Sequence, residues 1–317
     1  MKKYTIAVAG TTTRTRQCAQ ALFSSDLFEI AFIITPIAKP VGRKQIVTPN
    51  QMETFAKDNN IPIIFVEKKL DATVQEKIIQ LPQPDLLLVV DFGYIVPKWL
   101  LELPKIAPLN IHPSELPRWR GSSPGQFALL FNEKKSAVTL MVMDQQLDHG
   151  PIIHQDFFEI DSSWEQTEYY QHAFNVICQN LDQKIARFAQ SPDTVTPQPE
   201  DSPTLTAKQV KKEQTFIPWE YIQAALQGQK PDKITQLSTF MQTAVNVNGS
   251  LAKTIERATK AFNPWPGVWT LVQTNNGEKR MKLLEVVVTG DTLQLKTVHI
   301  EGKNPANWSE VKNSIQH

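Results

Sequence analysis

The first half of the chain alternates short, continuously apolar runs with amphipathic stretches. The apolar runs are predicted as strands, and they are Thr5–Ala9, Ile30–Thr35, Ile61–Val66, Asp85–Asp91, Leu109–His112, Val138–Met143 and Ile152–Ile160. Between them, Gln17–Phe23 and Gln51–Lys57 carry apolar residues at helical spacing. Strands that are apolar throughout and separated by helices indicate a mainly parallel sheet covered on both faces. The predicted fold class is therefore α/β, with a doubly wound, mainly parallel sheet.

Two short segments are typical of helix starts. Thr48–Gln51 offers an N-cap, a proline at the first helical position and a reciprocal glutamine, and Ser162–Glu165 has the pattern of a capping box. The second signal precedes a stripe of large apolar residues, which predicts one long amphipathic helix. The stripe comprises Tyr170, Phe174, Ile177, Leu181, Ile185 and Phe188.

The amino-acid composition and the hydrophobic pattern change after residue 190, and this change divides the chain into three parts. We expect an α/β domain at 1–190, a proline-rich linker at 191–207 and a C-terminal domain at 208–317. Within the last, residues 220–260 are predicted to be helical. The apolar runs near 268–273, 281–288 and 292–300 predict a short, OB-like β-barrel over 261–317.

Composition and charge narrow the class of protein. The chain is 41% hydrophobic, which excludes a mainly disordered protein, and its 33 basic and 32 acidic residues nearly cancel. Residues 205–317 nevertheless carry 14 basic and 9 acidic side chains, an excess that suits a polyanionic partner. The sequence has only two cysteines, and it shows neither an apolar run of membrane-spanning length nor a signal peptide. These features predict a cytoplasmic protein with reduced thiols.

Chemistry is concentrated at the ends of two predicted strands. Asn110 and His112 project from the same side of one strand, where an amide and an imidazole can both donate to one oxygen. The segment Asp144–Gly150 ends the other strand, and one of its carboxylates can orient the imidazole. The spacing alone does not distinguish a catalytic His112 from one with only a structural role. The Gly10–Arg14 turn matches no dinucleotide or phosphate motif, and nothing else there indicates a nucleotide.

The run Asn110-Ile-His-Pro-Ser-Glu-Leu-Pro-Arg-Trp-Arg-Gly121, followed by Asp144-Gln-Gln-Leu-Asp-His-Gly150, resembles the signature of the 10-formyltetrahydrofolate-dependent formyltransferases. The resemblance implies that Asn110, His112 and Asp148 are catalytic. It also implies that 10-formyltetrahydrofolate is the co-substrate and that no metal is needed. The folate is expected to contact two segments, which comprise Phe92, Gly93, Tyr94, Ile95 and Val96 in one and Ser114, Glu115, Leu116 and Pro117 in the other.

Two further stretches are similar to those of family members that act on methionyl-tRNA, and they imply the initiator methionyl-tRNA as acceptor. One is the basic loop near Thr35–Pro49, and the other is Ala261-Phe-Asn-Pro-Trp-Pro-Gly267, which resembles the entry to a C-terminal barrel. The expected tRNA contacts are Lys39, Arg43, Lys44, Lys279, Arg280 and Lys282. We expect a monomer that binds no membrane. The alternatives are transfer to an amino sugar or another small amine, and a catalytically silent tRNA- or folate-binding homologue.

The sequence departs from the family pattern in two places near the expected site. The turn after the first strand is Thr11–Arg16, rich in threonine and arginine, and Glu115 places a carboxylate where an apolar residue is usual. These departures leave the expected formyl chemistry intact but bear on how folate and acceptor are held.

Overall fold

The structure, a computed structural model, describes residues 3–38, 40–41, 46–275 and 277–315. The chain forms two compact units that are interleaved along the sequence. The first contains Met1–Arg120, Ala137–Phe158 and Gln171–Leu205, and the second contains Gly121–Ser136, Glu159–Tyr170 and Thr206–His317.

A seven-stranded sheet dominates the first part of the chain. Its strands are β1 (Tyr4–Gly10), β2 (Phe28–Pro36), β5 (Ile63–Val66), β6 (Leu86–Val90), β7 (Ala107–His112), β8 (Lys135–Val142) and β9 (Ile152–Glu159). They lie in the order β5-β2-β1-β6-β7-β8-β9, and the pairs from β5 to β7 are parallel while β8 runs antiparallel to β7. A separate two-stranded ribbon joins β3 (Pro40–Val41) to β4 (Ile46–Val47). The prediction of a mainly parallel α/β sheet is confirmed.

Helices lie between and after these strands in the sequence. Those before residue 191 are α1 (Thr13–Phe23), α2 (Gln51–Asp58), α3 (Ala72–Ile79), α4 (Lys98–Leu101), α5 (Pro124–Leu130), α6 (Gln166–Cys178) and α7 (Leu181–Gln190). The central strand β6 is buried at all five positions, as expected for a parallel strand covered on both faces. One apolar cluster joins β1, β2 and β6 to α3 and to the segment that follows β6.

Two predicted helix starts are wrong by a few residues. The N-cap of α2 is Asn50, whose Oδ1 accepts from the backbone of Met52 and Glu53, whereas Thr48 was expected to cap it. Asn50 is fixed there because its Nδ2 also donates to the carbonyl of Pro36. Helix α6 begins at Gln166 rather than within 162–165.

The segment before α6 forms a turn because of Asp161. The backbone N–H and the hydroxyl of Ser163 both donate to Asp161 Oδ1, at 2.8 and 2.7 Å. The predicted single helix is also interrupted, since Asn180 adopts a left-handed backbone conformation (φ 58°) between α6 and α7. The apolar stripe survives this break, because Phe174 and Leu181 on its two sides are fully buried.

The C-terminal residues form a small mixed unit. Its helices are α8 (Trp219–Leu226), α9 (Thr239–Asn248), α10 (Leu251–Phe262) and α11 (Trp308–Val311), and its strands are β10 (Val268–Thr274), β11 (Gly277–Thr289), β12 (Thr292–Ile300) and β13 (Ala306–Asn307). The strands pair in chain order as a four-stranded antiparallel sheet. The expected C-terminal β domain is confirmed as a four-stranded antiparallel sheet, while its closure into an OB-like barrel stays a prediction. Helix α5 packs in the same unit, where Phe127 contacts Phe240.

Both cysteines lie in the first unit. Their sulfur atoms are 3.6 Å apart, and both are free thiols. The hydrogen bond to the Cys178 thiol and burial raise the pKa of the Cys18 thiol well above its usual value. Among the described residues, no helix is both long enough and apolar enough to span a bilayer.

Asp85 joins the starts of two neighbouring central strands. Its Oδ2 accepts from the backbone N–H and the hydroxyl of Thr5, at 2.8 and 3.0 Å, and its Oδ1 lies 3.3 Å from Lys105 Nζ. Burial alone raises the pKa of this carboxyl, but the Thr5 and Lys105 hydrogen bonds outweigh burial and leave its pKa below the usual range. The ionised form of Asp85 is therefore bound more tightly in the folded state than the protonated form.

We expect Asp85→Asn to lower the free energy of unfolding by about 1.5–3 kcal/mol at pH 7, the usual contribution of a hydrogen bond to a charged group. A lowered folded-state pKa stabilises the protein above the unfolded pKa, about 3.9 for aspartate, and the effect disappears as pH falls through the folded value. Urea unfolding at pH 7 and near pH 3 measures this, with the penalty shrinking at acid pH.

Asp161→Asn is the matched control, because the pKa of the Asp161 carboxyl is also lowered, by hydrogen bonds from Ser163, but this carboxyl is fully exposed. It should destabilise less than Asp85→Asn at pH 7. Equal penalties for the two variants, or an Asp85→Asn penalty that does not change with pH, would contradict this account.

Candidate active site

The carboxyl ends of β6 and β7 bring the predicted site residues to one edge of the sheet. These strands are parallel neighbours, and Asn110 pairs with Val89 near the end of both. His112 is the last residue of β7. Ligands of open parallel sheets bind just beyond such strand ends, so Asn110 and His112 lie at the edge where ligands of such sheets bind.

The imidazole of His112 is buried, with 5% of the residue exposed, and its Nε2 lies 3.1 Å from the carbonyl oxygen of Trp119. A carbonyl oxygen can only accept a hydrogen bond, so Nε2 must carry the proton. The tautomer of neutral His112 is thereby assigned from its partner. Only Nδ1 remains available to exchange a proton with a reacting group.

Asp148 faces that available nitrogen. Its Oδ1 lies 3.8 Å from His112 Nδ1, and 11% of its side chain is exposed. This separation exceeds the range of about 2.7–3.2 Å for a hydrogen bond between nitrogen and oxygen, so the contact is electrostatic. The His112–Asp148 pair is the ion pair that would form when the imidazole takes up a proton.

The turn that carries Asp148 depends on the residue at position 150. A Cβ added to Gly150 would lie 2.0 Å from the carbonyl oxygen of Val142, so only glycine fits. Asp148 itself adopts a left-handed conformation (φ 53°), which aspartate tolerates better than most residues. The local sequence thus brings the carboxylate back over the end of β8.

The side-chain amide of Asn110 completes the group. It is half-buried, and no described residue is within hydrogen-bonding distance of it. The Asn110 amide can donate to a developing oxyanion, whereas the bare Nδ1 of neutral His112 can only accept, so Asn110 alone fits the expected role of oxyanion donor. The structure therefore brings all three predicted catalytic residues together.

The loop after β7 is held by hydrogen bonds from residues on β8 and β9 that sequence analysis did not identify. Thr139 Oγ1 donates to the carbonyl of Ser114 at 2.6 Å, and Gln155 Nε2 donates both to Thr139 Oγ1 and to the carbonyl of Leu116, each at 3.0 Å. The side chains of Ser114 and Leu116 are buried, whereas Glu115 and Pro117 are half-buried. Of the four predicted folate contacts in this loop, the side chains of Ser114 and Leu116 are therefore buried, and those of Glu115 and Pro117 are the more accessible ones.

The second predicted folate segment follows β6. Phe92 is buried and packs with Tyr94 in the apolar cluster, joined by Val96, whereas Gly93 is exposed and Ile95 is 93% exposed. An almost fully exposed isoleucine at the edge that carries the His112–Asp148 pair is a surface that an apolar ligand would cover.

The unusual turn after β1 holds the start of this segment. Arg14 Nε and the Thr12 hydroxyl both donate to Asp91 Oδ2, and the Arg14 guanidinium lies over the ring of Phe174. Asp91 immediately precedes Phe92 and has a left-handed backbone (φ 48°). The departure from the family pattern at Thr11–Arg16 therefore has a structural role, which is to anchor the segment 92–96.

The predicted tRNA contacts fall into two groups. Lys39, Arg43 and Lys44 lie outside the described residues. Lys279, Arg280 and Lys282 lie on β11, but alternate residues of a strand point to opposite faces, so Arg280 and Lys282 share one face while Lys279 points to the other. The three basic residues are close together in the sequence, but the strand places them on two opposite faces.

An aromatic residue that sequence analysis missed lies at the face of Arg280 and Lys282. Trp269 pairs with Lys282 across β10 and β11, and the charged groups of Arg280 and Lys212 lie 6.0 and 5.7 Å from its ring. We call these four residues the Trp269 face. Trp265, in contrast, is 64% exposed and does not contribute to the core.

The group as a whole consists of an amide, an imidazole with a bare Nδ1 and a carboxylate, which are groups that can take part in acid–base chemistry. Comparison with known proteins identifies its class further. Residues 2–179 match the model of the formyl transferase family, which covers more than half of the chain. The chain belongs to the formyl transferase family.

Individual relatives agree with this assignment. A methionyl-tRNA formyltransferase from Chloroflexus aurantiacus is 30% identical over 243 residues, which cover 76% of this chain and 68% of the relative. The fold resembles that of methionyl-tRNA formyltransferase from Clostridium thermocellum, with a TM-score of 0.57, 15% identity and coverage of 94% and 98% of the two chains. It also resembles an N-formyltransferase from Helicobacter canadensis in complex with folinic acid and dTDP-3-aminofucose (TM-score 0.55, 17% identity, coverage 90% and 87%).

We expect Asn110→Ala to lower the turnover number for formyl transfer about 10²–10³-fold, the usual effect of removing one oxyanion donor. Folding should be unaffected, because no described residue depends on this amide. Steady-state kinetics together with thermal unfolding check both statements.

Asn175→Ala on α6 is the matched control, since Asn175 is exposed and bonds only Gln17 among the described residues. Its turnover should equal that of the parent protein. Near-normal turnover in Asn110→Ala would exclude the amide from the reaction.

Proposed function

We propose that this protein transfers the formyl group of 10-formyltetrahydrofolate to the α-amine of methionine esterified to initiator tRNA. The observation that carries the proposal is the approach of Asp148 to within 3.8 Å of His112, beside Asn110 at the carboxyl end of β7, in a member of the formyl transferase family. The methionyl-tRNA formyltransferase from Chloroflexus aurantiacus supports the choice of acceptor.

The chemistry requires a base and an oxyanion donor. The neutral amine attacks the formyl carbon, and the carbonyl oxygen becomes an oxyanion in a tetrahedral intermediate. The side-chain amide of Asn110 donates a hydrogen bond to this oxygen. Collapse of the intermediate breaks the bond to N10 of the folate, which leaves as tetrahydrofolate after N10 receives a proton.

His112 serves as the group that moves protons. Its Nε2 is engaged by Trp119, so Nδ1 accepts the proton of the attacking amine, directly or through water. The resulting imidazolium has the Asp148 carboxylate 3.8 Å away as its counter-ion. Because Nδ1–H can then donate, the same nitrogen can return the proton to the leaving N10.

The co-substrate fits the surfaces beside this group. Ile95 and Leu147 are 93% and 68% exposed, and they belong to the segments that follow β6 and β8. The aromatic parts of a folate would cover these apolar side chains. The folinic acid in the Helicobacter canadensis structure supports a folate in this family.

The tRNA is assigned to the Trp269 face for its phosphate contacts. Arg280, Lys282 and Lys212 supply positive charge around an aromatic ring on the exposed side of β10 and β11. Phosphates are bound by such cations with release of counter-ions, which makes the affinity depend on salt.

The setting of the reaction follows from the same proposal. We place it in the cytoplasm, where the thiols of Cys18 and Cys178 stay reduced. We propose that the protein acts as a monomer, independent of membranes and without a metal ion.

The acceptor assay tests the proposed function most directly. Tetrahydrofolate release from 10-formyltetrahydrofolate is followed with charged initiator tRNA, with uncharged tRNA, and with nucleotide-linked amino sugars. Release with the charged tRNA alone is expected, because only that molecule carries the methionine amine. Release with an amino sugar and none with the charged tRNA would establish the alternative, for which the dTDP-3-aminofucose complex of the Helicobacter canadensis relative is the specific support. No release of tetrahydrofolate with any of these acceptors would indicate a silent homologue.

We expect Arg280→Ala and Lys282→Ala each to weaken binding of methionyl-tRNA and to reduce the salt dependence of the affinity by about one unit of log–log slope, as for one lost phosphate contact. Folate kinetics should not change. Affinities measured at several salt concentrations give the slope.

Lys279→Ala is the matched control, since it removes the same charge from the opposite face of β11. Its slope should change less. Equal slopes for Lys279→Ala and Arg280→Ala would contradict the assignment of the Trp269 face.

A further inference from the structure

The segment expected to be a linker is hydrogen-bonded to both loops of the candidate active site. We call residues 198–204 the strap. Its Ser202 hydroxyl donates to the carbonyl of Pro117 at 2.8 Å, and its Thr204 Oγ1 accepts from the backbone N–H of Trp119 at 2.7 Å. These contacts fasten the strap to the loop that ends β7.

A buried arginine makes the strongest of these attachments. Arg120 is 8% exposed, and its guanidinium donates to Gln198 Oε1, to the carbonyl of Pro199 and to the carbonyl of Glu200, at distances from 2.7 to 3.2 Å. Arg120 directly follows Trp119, whose carbonyl holds His112 Nε2. The position of that carbonyl is therefore tied to the strap.

The same strap residue also holds the turn of Asp148. Gln198 Nε2 donates to the carbonyl oxygens of Asp148 and Gly150, at 3.1 and 2.7 Å. The amide cannot be reversed, because a flip would set its N–H groups against the guanidinium and its oxygen against two carbonyls. Gln198 thus connects the loop that holds His112 to the turn that carries Asp148.

The two prolines beside Gln198 restrict its backbone conformation. It lies between Pro197 and Pro199, and it is half-buried while both prolines are exposed. Proline fixes its own φ and restricts the residue before it to extended conformations. Little backbone freedom is left for Gln198 to lose when it bridges the two loops.

We propose that Gln198 is a positioning residue that sets the separation of His112 and Asp148 through Arg120. The inference rests on the proposed function, since it assumes that this pair moves the proton of the attacking amine. Gln198 touches no reacting group. It acts through the backbone of Asp148 on one side and through Arg120 and Trp119 on the other.

The decisive variant is Gln198→Glu. The glutamate keeps an oxygen for Arg120 but replaces the N–H donor by an oxygen that repels the carbonyls of Asp148 and Gly150. A displacement of the carboxylate by about 1 Å can cost up to 10²-fold, so we expect kcat to fall about 10- to 100-fold. The Michaelis constants for folate and acceptor should change little, since the substitution alters a contact to the backbone of Asp148 and Gly150 and no group assigned to substrate binding.

The pH profile separates positioning from a general loss of structure. With Asp148 displaced, the imidazolium of His112 loses its counter-ion, and the pH of half-maximal kcat should shift downward. Gln198→Met, which has no donor or acceptor and a similar length, should shift it in the same direction. Gln17→Glu on α1 is the matched control, because it changes a glutamine that bonds Asn175 in the same unit, and its profile should match that of the parent.

The parent protein is assayed first, with 10-formyltetrahydrofolate and charged initiator tRNA. If it does not formylate the tRNA, the proposed function fails. If it does, while both Gln198 variants keep the parent's kcat and pH profile, only the positioning role is overturned. A decrease in kcat with an unchanged pH profile would likewise overturn it.

Discussion

The hydrogen bond between His112 Nε2 and the carbonyl of Trp119 determines what the candidate active site can do. It consumes one ring nitrogen, fixes the tautomer and turns Nδ1 toward Asp148. A histidine free to flip would present either nitrogen to a substrate, and the carboxylate would then have no fixed partner. In the proposed mechanism, both the uptake of the amine proton and its return to the folate depend on this one contact.

The remainder of the first unit keeps that carbonyl in place. Thr139 and Gln155, on strands β8 and β9, hydrogen-bond to the loop after β7. The strap, which lies later in the sequence, is bound to the same loop through Arg120. The Asp148 turn is held by a required glycine and by Gln198. Preorganisation of this kind lets a site stabilise a transition state without rearranging during the reaction.

The sequence predicted the elements whose signal is local. Fully apolar runs such as Leu86–Val90 identified the central strands, and the two-residue spacing of Asn110 and His112 placed both on one side of β7. The resemblance to the formyltransferases added Asp148 to this group. No local sequence pattern predicts that Asp148 lies next to His112.

Interactions between residues far apart in sequence could not be predicted in this way. Arg120 and Gln198 are separated by 78 residues, and neither has a periodicity that points to the other. The same holds for the grouping of Gly121–Ser136 with the C-terminal residues, which depends on packing such as that of Phe127 against Phe240. The helix start at Asn50 was missed because its capping side chain is fixed by Pro36, in the preceding strand.

The tautomer of His112 is the most direct test of this account. Nitrogen-15 spectra of the imidazole groups, with His112 assigned by its loss in His112→Gln, distinguish a protonated from a bare ring nitrogen. At a pH where the ring is neutral, the account predicts a proton on Nε2 and none on Nδ1. A proton on Nδ1 with Nε2 bare would contradict it, because His112 could then neither donate to Trp119 nor accept a proton at the nitrogen that faces Asp148.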